Sequence, residues 1–178
     1  FNKLVKDSKV AINFRYKQWD WKCIDSIIDV LMNKKELMFD FSKKKFFKNL
    51  LFFYTPSKNL FVSLDWNLEH FRFGAIGNKL FELLGNSGEC SKILNSTSWI
   101  GDVIQCLENL LKASKDDNDK EIIFDINSIY ETMARQIFVF IGILSKTRFG
   151  DKYLEEEKFY TCLEKFVMPS LKFDYLLE

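Results

Sequence analysis

Between Ile126 and Leu144, apolar side chains recur at helical spacing through Ile129, Tyr130, Met133, Ile137, Phe140 and Ile141. Val139 and Ile143 widen the stripe until the segment is apolar nearly all round. A helix of that kind has to pack on more than one side. The spacing predicts one long helix over 126–144, buried among other helices.

The rest of the chain supplies those neighbours. Trp21, Ile24, Ile28 and Leu31 form a stripe widened by Cys23 and Ile27 and closed by Asn33, Lys34 and Lys35. A second helix, capped by Asp40 or Ser42, carries Phe46, Phe47, Leu50, Leu51 and Tyr54, and Thr55-Pro56-Ser57 ends it. Asn59–Trp66 reads as extended or loop. A third helix is expected over Leu68–Leu84; Gly74 and Gly77 within it cost about 1 kcal/mol each against alanine and call for close packing or a local break. Gly85-Asn86-Ser87-Gly88 is a turn cluster, and Ser96–Ser98 offers caps for a fourth helix through Ile100, Val103, Ile104, Leu107, Leu110 and Leu111. After a tight connection at Ser145–Gly150, shorter helices run through Tyr153, Leu154, Phe159, Cys162, Leu163 and Phe166 to Pro169.

Nineteen Phe with only two Pro and seven Gly favour helices whose cores are filled by rings. The fold class is all-α. Short joints between stacked helices describe an armadillo- or HEAT-like α-solenoid fragment as well as an irregular bundle, and spacing does not choose between them. The expected organisation is the end of a preceding repeat or a linker over 1–18, and helical repeats over 19–113 with a loop near 55–67. An acidic flexible loop follows over 114–125, then further repeats over 126–178. A start at Phe1 and an end at Glu178, just after the partly apolar run Leu171–Leu177, read as cuts through periodic sequence.

Side-chain chemistry is sparse. The single histidine, His70, sits beside Glu69 inside the third expected helix with no GxSxG elbow to serve, so a packed or surface residue is its plain reading. Cys23, Cys90, Cys106 and Cys162 form no CxxC pair, and a reducing compartment suits them. Asp116, Asp117, Asp119 and Glu121 lack the ligand alternation and glycine of a calcium loop. Gly74, Gly77, Gly85 and Gly88 follow no strand and make no phosphate cradle. The sequence therefore nominates no catalytic, cofactor or metal site. A formal charge of +1 gives no global field for nucleic acid. No segment reaches the roughly 20 continuous apolar residues of a spanning helix, and the N-terminus does not read as a signal peptide.

One surface feature stands out. Lys43, Lys44, Lys45 and Lys48, interleaved with Phe46 and Phe47, place a local positive patch at a helix start. There each lysine costs about 0.3–1 kcal/mol against the helix dipole. A solvated helix end is the plainer reading, and an acidic protein partner the functional one. Trp19 and Trp21, two apart, cannot share one face of a helix, so Trp21 is expected in the core with Trp19 at the helix start or on a neighbour. Trp99 is expected to fix the chain's entry into the fourth helix.

Several segments, taken in order, resemble one family. Trp19-Asp20-Trp21-Lys22-Cys23-Ile24 is similar to its W-[DN]-W-x-x-I helix start, and Phe46 to Ser57, including Tyr54 and Pro56, to its R-L-L-x-F-[FY]-x-P-S segment continued by Asn59-Leu60-Phe61. Ile76-Gly77 with Phe81 to Leu84 resembles its G-x-x-[FL]-x-x-[FL]-L element. Phe138 to Ser145, with Phe140, Gly142 and Leu144, then Gly150 to Leu154, resemble F-x-[FL]-I-G-x-L-S followed by G-x-x-x-L. These matches, spread over about residues 16 to 168, are those of the middle region of the rictor family, the large subunit of the second target-of-rapamycin (TOR) kinase complex.

The resemblance implies an armadillo- or HEAT-like scaffold without an active site, working in the cytoplasm and at the plasma membrane only peripherally, through its complex. It implies as partners the TOR kinase subunit, the Sin1-type (Avo1-type) subunit and the Lst8 subunit, with no nucleic acid. It also implies roles in complex integrity, in limiting access of the rapamycin-bound immunophilin to the kinase, and in signalling to AGC kinases that control actin polarity. A self-contained helical domain that binds a peptide at Lys43–Lys48 and an adjacent groove is the alternative.

Overall fold

Side-chain caps set the start of two helices among the described residues. The computed structural model describes residues 1–34, 37, 45–113 and 122–167. Among these it has ten α-helices: α1 Asn2–Asp7, α2 Trp21–Asn33, α3 Lys45–Tyr54, α4 Phe71–Asn86, α5 Gly88–Thr97, α6 Trp99–Ala113, α7 Ile126–Glu131, α8 Gln136–Ser145, α9 Arg148–Glu156 and α10 Phe159–Val167. Asp20 caps α2, its Oδ1 accepting the N–H groups of Lys22 and Cys23 at 3.0 Å each. Asp125 caps α7 in the same way, through the N–H of Ser128 at 2.7 Å. Each cap stabilises its helix by about 1 kcal/mol. The fold is all-α, a solenoid-like stack of helices. The caps expected at Asp40 and Ser42, the acidic run 114–121 and the end from Met168 onward lie outside the described residues.

Helix α4 is the hub, packed by α2, α5, α8 and α9. Its glycines do not break it; they admit neighbours. A methyl on Gly77 would overlap the Phe140 ring and come within 3.1 Å of Tyr54, and one on Gly74 would come within 3.1 Å of Met133. On the other side Lys79 Nζ bonds both Asp25 and Asp29 of α2 at 2.8 Å. These groups are well exposed, so the clamp sets register more than it adds stability.

The long helix expected over 126–144 is two helices. Thr132 is extended at φ −125°, ψ 177°, between α7 and a 3-10 turn at Met133–Arg135. There the Trp66 N–H donates to the Glu131 carbonyl and the Met133 N–H to the Leu64 carbonyl, both at 2.8 Å. This two-segment pairing, with a bridge between Asp65 and Thr132, replaces helical bonds at the break. It gives buried backbone the partners that it needs.

Three more expectations change. The turn cluster Gly85–Gly88 narrows to a corner at Ser87, because α4 runs on to Asn86 and α5 starts at Gly88. Ser98, expected as a cap, closes α5 in the left-handed region at φ 48°. His70 precedes α4 instead of lying inside it. Its Nδ1 is 2.9 Å from the Asp65 carbonyl.

Candidate partner-binding surface

Helix α3 turns its rings inward and its lysines outward. Phe46 and Phe47 are buried, while Lys45 and Lys48, three apart and so on one side of the helix, are exposed. Lys43 and Lys44 lie outside the described residues. Beyond Lys48 a cleft of about 350 Å³ opens between α3, the 3-10 turn Pro56–Lys58 and the joint of α5 with α6. Lys48 and Lys58 stand at its wall, with the Phe52 ring between them as an apolar surface. Lys58 Nζ lies 5.5 Å from the centre of that ring, and half-exposed Phe14 packs on it at 5.1 Å.

The cleft's own polar groups are mostly engaged. Asp102 accepts the Ser57 N–H at 2.9 Å, Thr55 donates to the Leu51 carbonyl at 2.8 Å, and Ser96 to the Ile93 carbonyl at 2.9 Å. Lys48 and Lys58 have no ion pair among the described residues, so the cleft offers two ammonium groups to an incoming acceptor. Sequence reading found Lys48. It missed Lys58 and the Ser96–Ser98 rim, which come to Lys48 only through packing of α5 and α6; a lysine directly after Thr-Pro-Ser was the one local sign.

The motif residues of the sequence comparison form the frame behind this surface. Trp19 and Trp21 are both buried, with ring centres 5.6 Å apart. They share the core because Trp19 precedes the Asp20 cap in extended conformation. Tyr54, Leu84, Phe140, Leu144 and Leu154 are fully buried, and Pro56 is buried at the turn. The Tyr54 hydroxyl donates to the Phe73 carbonyl at 2.7 Å, and burial holds its pKa well above the ordinary tyrosine range. Trp99, expected just ahead of its helix, is the first residue of α6, and its Nε1 donates to the Tyr54 carbonyl at 2.9 Å. Gly150 lies against Leu144 and Thr147, whereas Gly142 faces open space and Phe138 is half-buried.

Burial pushes the Cys106 thiol up to about 12 and those of Cys162 and Cys23 upward. They are thiols, not thiolate nucleophiles, at neutral pH. Among the described residues no three His, Cys, Asp or Glu are grouped to hold a metal ion, and no helix is long and apolar enough to cross a membrane.

Known proteins share this arrangement of sequence. The family profile described as "Rapamycin-insensitive companion of mTOR, middle domain" matches residues 114–177. The chain is 29% identical over 167 residues to the Saccharomyces cerevisiae "Target of rapamycin complex 2 subunit TSC11", covering 93% of this chain and 12% of that protein. It is 29% identical over 164 residues to the Mus musculus "Rapamycin-insensitive companion of mTOR", covering 89% of this chain and 9% of that protein. With the Dictyostelium discoideum "Protein pianissimo A" the identity is 23% over 179 residues, 92% of this chain and 15% of that protein. The chain thus spans about a tenth of the length of these relatives. Over about nine-tenths of its length the chain is thus similar to part of these rictor-type proteins, and its residues 114–177 match the profile of their middle domain.

Proposed function

We propose that this chain is a noncatalytic scaffold segment of a rictor-like subunit of TOR complex 2. The observation that carries the reading is the alignment of about nine-tenths of the chain with a named TOR complex 2 subunit. The helical stack supports it by its manner of building: rings and glycines are used for helix-to-helix contact, and lysines are left at the surface. On this reading the subunit holds the TOR kinase subunit, the Sin1-type subunit and the Lst8 subunit together. It limits access to the kinase, and it supports signalling to AGC kinases from the cytoplasm and, through the complex, from the plasma membrane. The repeats 19–113 and 126–178 then act as two stretches of one scaffold joined at 114–125. The test is co-purification from cells with a tagged full-length parent. The wild type should recover the kinase and Sin1-type subunits, and deletion of residues 19–167 should lower the recovery of at least one of them severalfold. Unchanged stoichiometry would remove the scaffold role from this segment.

A second reading is favoured by the cleft beside Lys48: a helical domain that takes an acidic peptide there, with Lys45 on the same side of the helix. Joint replacement Lys48→Glu and Lys58→Glu should weaken binding of a fluorescent glutamate-rich peptide by about tenfold or more, and the wild-type affinity should fall as salt is raised. Equal anisotropy titrations for the two proteins would dismiss the cleft as a peptide site.

A further inference from the structure

The break between α7 and α8 builds a surface that the lysine cleft does not use. Arg135 closes the 3-10 turn, and its guanidinium lies over the Trp66 ring, 3.6 Å from the ring centre. Trp66 is held in turn by its backbone bond to Glu131 and by the Phe71 ring at 4.6 Å. The guanidinium is therefore fixed in orientation. Its Nε is buried without a hydrogen-bond partner, and no carboxylate among the described residues pairs with it.

The two segments that the pairing ties together also carry exposed large apolar groups. Leu68, two residues past Trp66, is 88% exposed. Tyr130, next to Glu131, is 53% exposed, and Ile126, one turn earlier on α7, is 51% exposed. Outside them Asp65, Glu69 and Glu131 are exposed carboxylates. A stacked arginine, with exposed tyrosine, leucine and carboxylates on the same two paired segments, is the composition of an interface centre.

We propose that the Trp66–Arg135 stack is a docking site for an amphipathic protein segment. That segment gives one carboxylate to Arg135, covers Leu68 and Tyr130 with an apolar side chain, and sets basic residues against Asp65, Glu69 and Glu131. A carboxylate fits because the donors of a planar guanidinium match its two oxygens, and no carboxylate among the described residues already pairs with Arg135. The basic flank follows from the acidic rim. The inference rests on the scaffold reading for the existence of a protein partner.

The test places a photo-crosslinking residue, p-benzoylphenylalanine, at Leu68 in the full-length protein within its assembly. Irradiation followed by peptide mapping should give a crosslink to one segment of another subunit that carries Asp or Glu, with Lys or Arg beside it. Arg135→Glu should lower the crosslink yield about tenfold. Arg135→Lys, which keeps the charge and loses the planar stack, should restore part of it. Tyr130→Ser, at an exposed position that the fold does not need, should lower the yield with core hydrogen exchange unchanged. Crosslinks only to a second copy of this chain, to a segment without a carboxylate, or to no protein would overturn the proposal, as would an unchanged yield in Arg135→Glu. If the assembly is recovered intact without a crosslink, the docking site fails and the scaffold reading stands; if no assembly is recovered with the wild type, the scaffold reading itself fails.

Discussion

Replacing Phe140 by alanine should raise hydrogen-exchange rates of the slowest amides in α4 and α8 of the full-length protein by about two to four powers of ten, the equivalent of about 3–5 kcal/mol. Phe140 is fully buried where three elements meet. Its ring lies 4.6 Å from that of Phe81 on α4, 5.4 Å from Tyr54 at the end of α3 and 5.7 Å from Phe61 in the following loop. Phe81 passes the contact on to Trp99 at 4.5 Å. No small shift fills the cavity, because Tyr54 is fixed through its bonds to the Phe73 carbonyl and from Trp99 Nε1. The loss should sit near the upper end of its range.

Gly77 makes the same prediction specific. A Cβ there would come 2.7 Å from Phe140 Cε1 and 3.1 Å from Tyr54 Cε1. In the wild type, Gly77→Ala should destabilise by about 1–3 kcal/mol, overcoming the gain in helix propensity of about 1 kcal/mol. With Phe140→Ala the obstructing ring is gone, and the added methyl should become neutral or favourable. The exchange-derived coupling between the two substitutions should reach about 1–3 kcal/mol. Simple additivity would mean that helix α8 has relaxed away from α4.

This pair also shows how far periodicity carries. Spacing put Phe140 in the core through the 3.6-residue repeat, and the cost of a glycine inside a helix marked Gly77 for close packing or a local break. It could not show that they meet. The same rule failed between Ile126 and Leu144, where every apolar residue falls on a helical stripe, yet the Thr132 backbone leaves the helix. The cause is remote, two backbone bonds to Trp66 and Leu64, which lie 65 and 69 residues before their partners Glu131 and Met133, and no local preference records it.

Helix α5 was missed for the opposite reason. Gly-Asn-Ser-Gly is turn-like composition, and the helix that follows has few apolar residues to report it; Ile93 and Leu94, both buried, hold it against its neighbours. The candidate surfaces share this limit. Lys45 and Lys48 are visible as a run, but Lys58 and the Trp66–Arg135 stack exist only after distant segments pack.

Two glycines of the family-like pattern should respond to alanine with opposite signs. Gly150 sits in the first turn of α9, and a methyl there would overlap the Leu144 carbonyl, with the Leu144 Cα at 2.9 Å. The obstacle is backbone at the end of α8, fixed by Thr147, whose N–H and Oγ1 both donate to that same carbonyl, at 2.9 and 2.7 Å. Gly150→Ala should therefore cost about 2–3 kcal/mol or more, as overpacking without a flexible neighbour does. The effect should not stay local. The Tyr153 hydroxyl of α9 accepts the Ile100 N–H at 3.0 Å and donates to the Leu94 carbonyl at 3.4 Å, so displacing α9 releases the joint of α5 with α6. Gly142, in the interior of α8, has nothing within 4 Å of a built Cβ. Gly142→Ala should stabilise by up to about 1 kcal/mol through helix propensity and a less flexible unfolded chain. Hydrogen exchange reads both: faster exchange at the start of α6 as well as in α9 for Gly150→Ala, and slower exchange within α8 for Gly142→Ala. If Gly142→Ala weakens recovery of partner subunits while slowing exchange, the open space beside it is filled in the assembly, and this glycine serves a contact rather than the fold.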